Sequence, residues 1–352
     1  MIPIVRPNFP PLKNIIKHFE ASHELGKYTN FGPAFEAVVE RLNKLFRKQC
    51  LPVSNGTTAI QVAVQTEFPR GSRVLLPDFT HIGTLNAVIS AGMRPILAPV
   101  DDTLWTLSPN FLEHHREDYD AFVVVSPFGY EVKTKLYDEI SDRYGKPVVY
   151  DFAGGMPMGE STPHPVCWSL HATKNVPIGE GGIVAFSTTS AWARAKQISF
   201  FDTMPNRLAA SPYGGNHKME EWKCATLLAQ LDRWTEIMDG VMEKTQLIHY
   251  YQRELAELCT PHHLHQNGYP SFCVLAGFSE AKRMEEEGPA YDVELKRYYP
   301  LLTKMLFLDK VKRLGVSSEK FSTCVALPAN VDENEVSTVI STIKGIHNSG
   351  MM

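Results

Sequence analysis

The chain has 352 residues, with 35 Lys and Arg against 39 Asp and Glu (formal charge −4), 43% hydrophobic and 21% charged residues. This is ordinary globular usage, long enough for one large domain and a smaller one, and its slight acidity argues against nucleic acid as the main partner. No window approaches the roughly 20 apolar residues of a membrane helix, prolines 3, 7, 10 and 11 break any signal region, and six dispersed cysteines without CxxC (Cys50, Cys167, Cys224, Cys259, Cys273, Cys324) read as free thiols of a cytoplasmic protein rather than a disulfide framework or a zinc site.

Through the first two-thirds, short apolar runs alternate with helical stretches. Strands are expected at 73–76, 94–97, 121–125, 147–150, 166–170 and 182–186, and helices at 57–65, 82–91, 134–144 and 191–198. Such alternation implies a mostly parallel sheet covered on both faces. The run Phe122-Val123-Val124-Val125 fits a strand buried on both sides. After about Ser211 the pattern changes. Residues 218–254 read as one long helix interrupted only by Gly240, followed by strands at 271–275 and 322–327 and a helix at 333–346. The expected architecture is an α/β three-layer sandwich over 1–215, with an N-terminal arm, then a long helix and a smaller α+β domain over 216–352. Trp222, Leu227 and Leu228 fall on helical spacing and suit core or a dimer interface. Met284 to Gly288 reads as a solvated helix end. His262, His263 and His265 lack nearby Cys or a patterned acid, so they read as a polar loop with no metal.

The chemistry concentrates in a few segments. Val148-Val149-Tyr150-Asp151 is a strand delivering an acid at its carboxyl end, where open α/β sheets bind ligands. Ser169-Leu170-His171-Ala172-Thr173-Lys174 follows, then Gly179-Glu180-Gly181-Gly182. An acid and a lysine so placed could hold pyridoxal phosphate. The acid would keep the pyridine nitrogen protonated and the lysine would form the Schiff base. Taken singly, the acid could equally be a turn former and the lysine a surface charge; the glycine-rich stretch suggests a close backbone approach. Ser54-Asn55-Gly56-Thr57-Thr58 precedes a helical pattern, as an N-cap or as a phosphate site at a helix N-terminus. His81, after the strand at 73–76, could stack on an aromatic cofactor or pack locally in a loop.

Together these pieces resemble the DegT-type nucleotide-sugar aminotransferases, pyridoxal-phosphate enzymes of the fold type I, aspartate-aminotransferase-like architecture. The resemblance runs in order through Tyr28-Thr29-Asn30-Phe31-Gly32-Pro33, Ser54 to Ala59, Pro77 to His81, Asn86-Ala87, Val149 to Ala153, Ser169 to Lys174, Glu180 to Gly182, Gly215 to Met219, Gln230-Leu231 and Tyr298 to Leu301. It implies Lys174 as Schiff-base lysine and proton shuttle, and Asp151 as partner of the pyridine nitrogen. It implies Gly56, Thr57, Thr58 and Ser169 as phosphate ligands, and His81 as the stacking ring. Asn216 would reach the phosphate of a neighbouring subunit in a homodimer with shared active sites. Tyr28, Thr29, Asn30 and the 204–213 stretch are candidates for substrate contact. Two departures stand out: Gly154 occupies a position where the family usually has Gln or His, and His81 replaces a more usual Phe, Tyr or Trp. The stretch 268–294 also looks shortened.

The resemblance implies transfer of an amino group, from glutamate by family habit, to a nucleotide-linked keto-sugar, giving an amino sugar for surface polysaccharide or a glycosylated metabolite. Three rivals are a dehydratase of the same family, which would carry His in place of Lys174; a non-catalytic regulator on the same fold; and a fold type I enzyme for free amino acids, which would want an arginine clamp. Arg283, Arg297 and Arg313 are the unassigned candidates for that clamp.

Overall fold

The computed structural model describes residues 1–203, 211, 213–259, 268–305 and 311–350. Two helices, α1 (Leu12–Glu24) and α2 (Pro33–Phe46), precede an alternating series: β1 (Gln49–Val53), α3 (Gly56–Glu67), β2 (Arg73–Pro77), α4 (Ile82–Ser90), β3 (Arg94–Ala98), α5 (Pro109–His114), β4 (Ala121–Val125), α6 (Thr134–Tyr144), β5 (Val148–Asp151), β6 (Val166–Ser169), β7 (Gly182–Phe186) and α7 (Thr189–Ser199). Then come α8 (Glu221–Leu231), α9 (Trp234–Glu254), β8 (Cys273–Leu275), α10 (Ala281–Glu287), β9 (Lys296–Arg297), β10 (Lys312–Arg313), β11 (Val325–Leu327) and α11 (Glu333–Ser349). The fold is α/β, with a large sheet in the order β1-β7-β6-β5-β4-β2-β3-β10 and a small one in the order β8-β11-β9. Only β7 runs against its neighbours in the large sheet. All five residues of β4 are buried, as its unbroken apolar run requires.

Strand order places the site. From β2 the chain passes outward to β3, and from β4 it passes to β5 on the other side. The carboxyl ends of β2 and β4 therefore flank a topological switch point, where a crevice opens in such sheets.

Two departures from the sequence expectations have clear causes. β1 carries Pro52 and does not read as a strand, yet it forms because it lies at the sheet edge, where β7 is its one neighbouring strand and a missing N–H is tolerated. The expected single helix over 218–254 breaks at Asp232 and Arg233, not at Gly240. Asp232 is held there by His18 Nε2 at 2.7 Å and Arg41 Nη1 at 2.6 Å, and Gly240 stays inside α9.

The core also divides later than residue 215. Cys224, Leu227, Leu228 and Ile237 belong to the cluster around the large sheet. A second cluster begins with Ile248 in α9 and joins β8, α10, β11 and α11. A third, aromatic cluster of Phe79, Trp105, Phe128, Tyr130, Phe272 and Phe321 knits the switch-point loops to the small sheet. Trp222 stays partly exposed, edge-on to Phe19 at 5.1 Å. All six cysteines are free and buried. No described helix is long and apolar enough to cross a membrane. The histidines at 262, 263 and 265 lie outside the described residues.

Glu221 shows how the first helices are anchored. It is fully buried and accepts from Ser22 Oγ (2.8 Å), Gly32 N (2.9 Å), Ala34 N (2.7 Å) and Phe35 N (3.3 Å). One carboxylate thus caps α2, where no side chain of the Gly32 N-cap can do so.

Candidate active site

A cavity of about 840 Å³ opens at the switch point. Its walls bring together Gly56, Thr57, Thr58, His81, Asp151, Ser169 and Lys174, which lie far apart in sequence.

One end is built for an anion. α3 starts at Gly56, directly after the turn from β1, and the first N–H groups of a helix have no intrahelical acceptor. Asn55 caps it by accepting from Thr58 N at 2.8 Å. Gly56 is required for the close approach: a Cβ there would stand 2.8 Å from Ser169 Cβ. Ser169, at the end of β6, turns its hydroxyl into the same corner and accepts from His171 N at 3.2 Å. The glycine-rich 179–182 segment serves this docking, because a Cβ on Gly182 would collide with the backbone of Asn55.

Asp151 ends β5 and is 3% exposed. Its carboxylate accepts from Thr84 Oγ1 at 2.7 Å and Ala153 N at 3.0 Å. Burial pushes its pKa up, opposed by those hydrogen bonds and by the positive charges of Lys174 and His81. Lys174 sits on a turn closed by Lys174 N donating to His171 O at 2.9 Å. The next residue, Asn175, accepts from Lys244 Nζ at 2.7 Å and donates to Tyr269 O at 3.0 Å. These bonds tie the turn to α9 and to the segment entering the small sheet. The Lys174 amine lies 4.9 Å from the centre of the Phe272 ring. Burial pushes its pKa down to about 8, with Asp151 pulling the other way.

His81 is the N-cap of α4, accepting from Gly83 N at 3.0 Å through Nδ1. Its ring meets Tyr299 at 5.7 Å, nearly edge-on. Burial first, then the charge of Lys174, lowers its pKa. His81 is thus packed locally and also lines the cavity.

Other candidates lie elsewhere. Tyr28, Thr29 and Asn30 form an exposed loop between α1 and α2 and do not line this cavity. Asn216 is exposed and bridges to Phe200 beside the edge strand β1, accepting from Lys218 Nζ at 2.5 Å. Most of the 204–213 stretch lies outside the described residues. The candidate clamp arginines are turned away: Arg283 bonds Glu287, Arg297 bonds Glu285, and Arg313 lies exposed on β10. Gly154 cannot carry a side chain, because a Cβ would stand 2.7 Å from Gly129 N and Phe128 C. The turn at Phe128 and Gly129, both at positive φ, fills that space. Thr84, Phe272, Lys296, Tyr298 and Tyr299 also line the cavity. Sequence reasoning assigned them no role, because nothing local marks a residue that reaches the site from another domain or a helix interior.

The residues fit pyridoxal phosphate. They offer a helix N-terminus with a hydroxyl beside it for a phosphate, a buried carboxylate for a ring N–H, and an amine of lowered pKa for an aldehyde. The chain matches the DegT/DnrJ/EryC1/StrS aminotransferase family over residues 12–344. Protein Rv3402c of Mycobacterium tuberculosis is 27% identical over 247 residues, 65% of this chain and 60% of that protein, so the match spans less than two-thirds of its length. Among solved structures, DesI in the presence of its TDP-sugar product superposes with a TM-score of 0.86 at 20% identity, covering 99% of this chain and 93% of that one. The sugar aminotransferase CalS13 from Micromonospora echinospora superposes with a TM-score of 0.84 at 18% identity, covering 98% and 100%. At these identities the two structures speak to the fold alone. The family match spans nearly the whole chain, and this protein belongs to the DegT/DnrJ/EryC1/StrS aminotransferase family.

Proposed function

We propose that this chain is a pyridoxal-phosphate-dependent aminotransferase that moves an amino group from an amino acid, glutamate in the first instance, to the keto group of a nucleotide-linked sugar. The observation that carries this reading is the meeting of the Lys174 amine and the Asp151 carboxylate in one cavity beside the α3 N-terminus. The family supports amino transfer, and a sugar acceptor is supported by the likeness to DesI and CalS13.

When bound, the cofactor supplies an electron-poor ring that accepts the electron pair left as a proton leaves the amine-bearing carbon. Gly56, Thr57, Thr58 and Ser169 would hold its phosphate. Asp151, kept in register by Thr84, would hold the ring N–H, and His81 would supply a ring beside it. Lys174 would hold the cofactor through its amine and, as a free base once the pH exceeds about 8, would take and return the proton at the reacting carbon. Phe272, Phe128 and Tyr299 wall the site with aromatic surface that excludes water. Asn216, at the sheet edge, would reach the cavity of a second copy, so the working unit in this reading is a homodimer. Lysine at 174 disfavours the dehydratase alternative.

The test is spectroscopic. Protein purified with pyridoxal phosphate should be yellow, bleach on adding glutamate, and recover its colour on adding a nucleotide-linked keto-sugar. Protein that takes up no cofactor overturns the enzyme reading. Recovery of colour with simple keto acids but with no sugar nucleotide overturns the acceptor. A further expectation concerns Thr84. Thr84→Val removes a hydrogen bond to a buried carboxylate, a loss of order 1.5–3 kcal/mol. Titration should then show cofactor affinity about tenfold weaker or more, and urea denaturation should show the apoprotein itself destabilised by up to about the same 1.5–3 kcal/mol.

A further inference from the structure

β9 is an edge strand of two residues, paired through Arg297 with Val325 and through Lys296 with Ala326. Adjacent strand residues face opposite sides. Arg297 turns away from the cavity, its Nε 2.8 Å from Glu285 Oε2. Lys296 faces the other way and lines the cavity mouth with Tyr298 and Tyr299. Its Nζ stands 5.2 Å from the centre of the Tyr298 ring, and it makes no ion pair among the described residues.

The cavity's other charged groups are already engaged in the proposed reading: Lys174 and Asp151 with the cofactor, and the α3 N-terminus with its phosphate. Glu180 stands 3.8 Å from His171 Nε2. Lys296 is left as an exposed cation at the mouth with no ion-pair partner among the described residues, while Lys174 sits inside beside a carboxylate that is 3% exposed.

That position discriminates between the two anions a sugar aminotransferase must meet. The carboxylate of an amino donor is one bond from the reacting carbon, so it must lie deep, near Lys174. The phosphates of a nucleotide-linked sugar lie across a sugar ring from the reacting carbon, toward the opening. An ammonium on a flexible stem also suits phosphate as a point charge, whereas a carboxylate is best gripped by an arginine fork. Resting on the nucleotide-sugar reading above, we infer that Lys296 is a specificity-determining residue that binds the diphosphate of the acceptor.

The experiment compares wild-type holoenzyme with Lys296→Ala and Lys296→Arg, using calorimetric binding of UDP and dTDP as probes, at low and high salt. Lys296→Ala should weaken diphosphate binding about tenfold, the loss of one charge-assisted hydrogen bond. Lys296→Arg should restore most of it, which a merely structural role for the side chain would not predict. The difference between wild type and Lys296→Ala should shrink as salt screens the contact. Equal binding by wild type and Lys296→Ala overturns the inference. So does a rise in the glutamate concentration needed for half-maximal bleaching in Lys296→Ala, which would place the donor carboxylate there instead. Wild type that binds neither diphosphate overturns the nucleotide-sugar reading itself, a result distinct from the other two.

Discussion

Lys174→Met should abolish turnover and, at the same time, make the apoprotein more stable at neutral pH. Loss of activity follows from the amine's two duties, holding the cofactor aldehyde and moving the proton at the reacting carbon. Removing a group on which the chemistry depends costs at least the 10²–10⁴-fold that a positioned acid–base contributes. The stability change has the opposite sign because burial disfavours the charged amine: its pKa falls from 10.5 to about 8 on folding. Below pH 8 the amine is protonated in both folded and unfolded chains, and the full penalty of burying the charge is present. Between about 8 and 10.5 the unfolded chain binds more protons than the folded one, so wild-type stability rises with pH through that window. Met keeps the apolar stem and removes the charge, so the variant apoprotein should gain about 1–3 kcal/mol at pH 7. The gain should fade as pH climbs from 8 toward 10.5. Urea denaturation at neutral and alkaline pH measures this directly, and a destabilised variant at pH 7 would show that the amine is stabilised in the fold rather than poised for reaction. By the same titration, uptake of pyridoxal phosphate by wild-type apoprotein should quicken as pH rises through about 8, because the free base attacks the aldehyde.

Glu221→Ala should be the most destabilising single change outside the cavity. Its buried carboxylate answers one hydroxyl and three amides. Truncation leaves these buried donors without their acceptor, at a cost of order 3–5 kcal/mol. Glu221→Gln keeps the shape and one acceptor oxygen but turns its amide N–H groups toward backbone N–H groups, so it should recover only part of the loss. Chemical denaturation of the apoproteins gives both values. A Glu221→Ala protein as stable as wild type would mean that water takes over the cap.

The large sheet was legible because its strands are apolar runs bounded by turns. β4 and β7 fall where the pattern puts them, and the ends of β2, β3, β5 and β6 differ from it by one residue. Such patterns come from burial on both faces, which every residue of the strand records. Asp151, Gly56 and Ser169 were legible because each lies where an element begins or ends, and Lys174 because it sits in the turn that follows β6, where a chain reversal needs recognisable residue types. Asp232 was not legible as the break after α8. Its partners His18 and Arg41 come from the first two helices, roughly two hundred residues earlier in sequence.

By itself, then, the order of residues determined an alternating α/β chain, the ends of strands where chemistry would gather, and a lysine and an aspartate suited to one cofactor. Periodicity and end-capping are local, and local physics suffices for them. Only the tertiary structure decided that Phe128 and Gly129 fill the space beside Gly154, that Thr84 rather than a neighbour in sequence steadies Asp151, and that Lys296 and not Arg297 faces the cavity. Those outcomes depend on which segments the switch point and the small sheet bring within a few ångströms of each other, and a contact between distant segments leaves no trace in the spacing of either one.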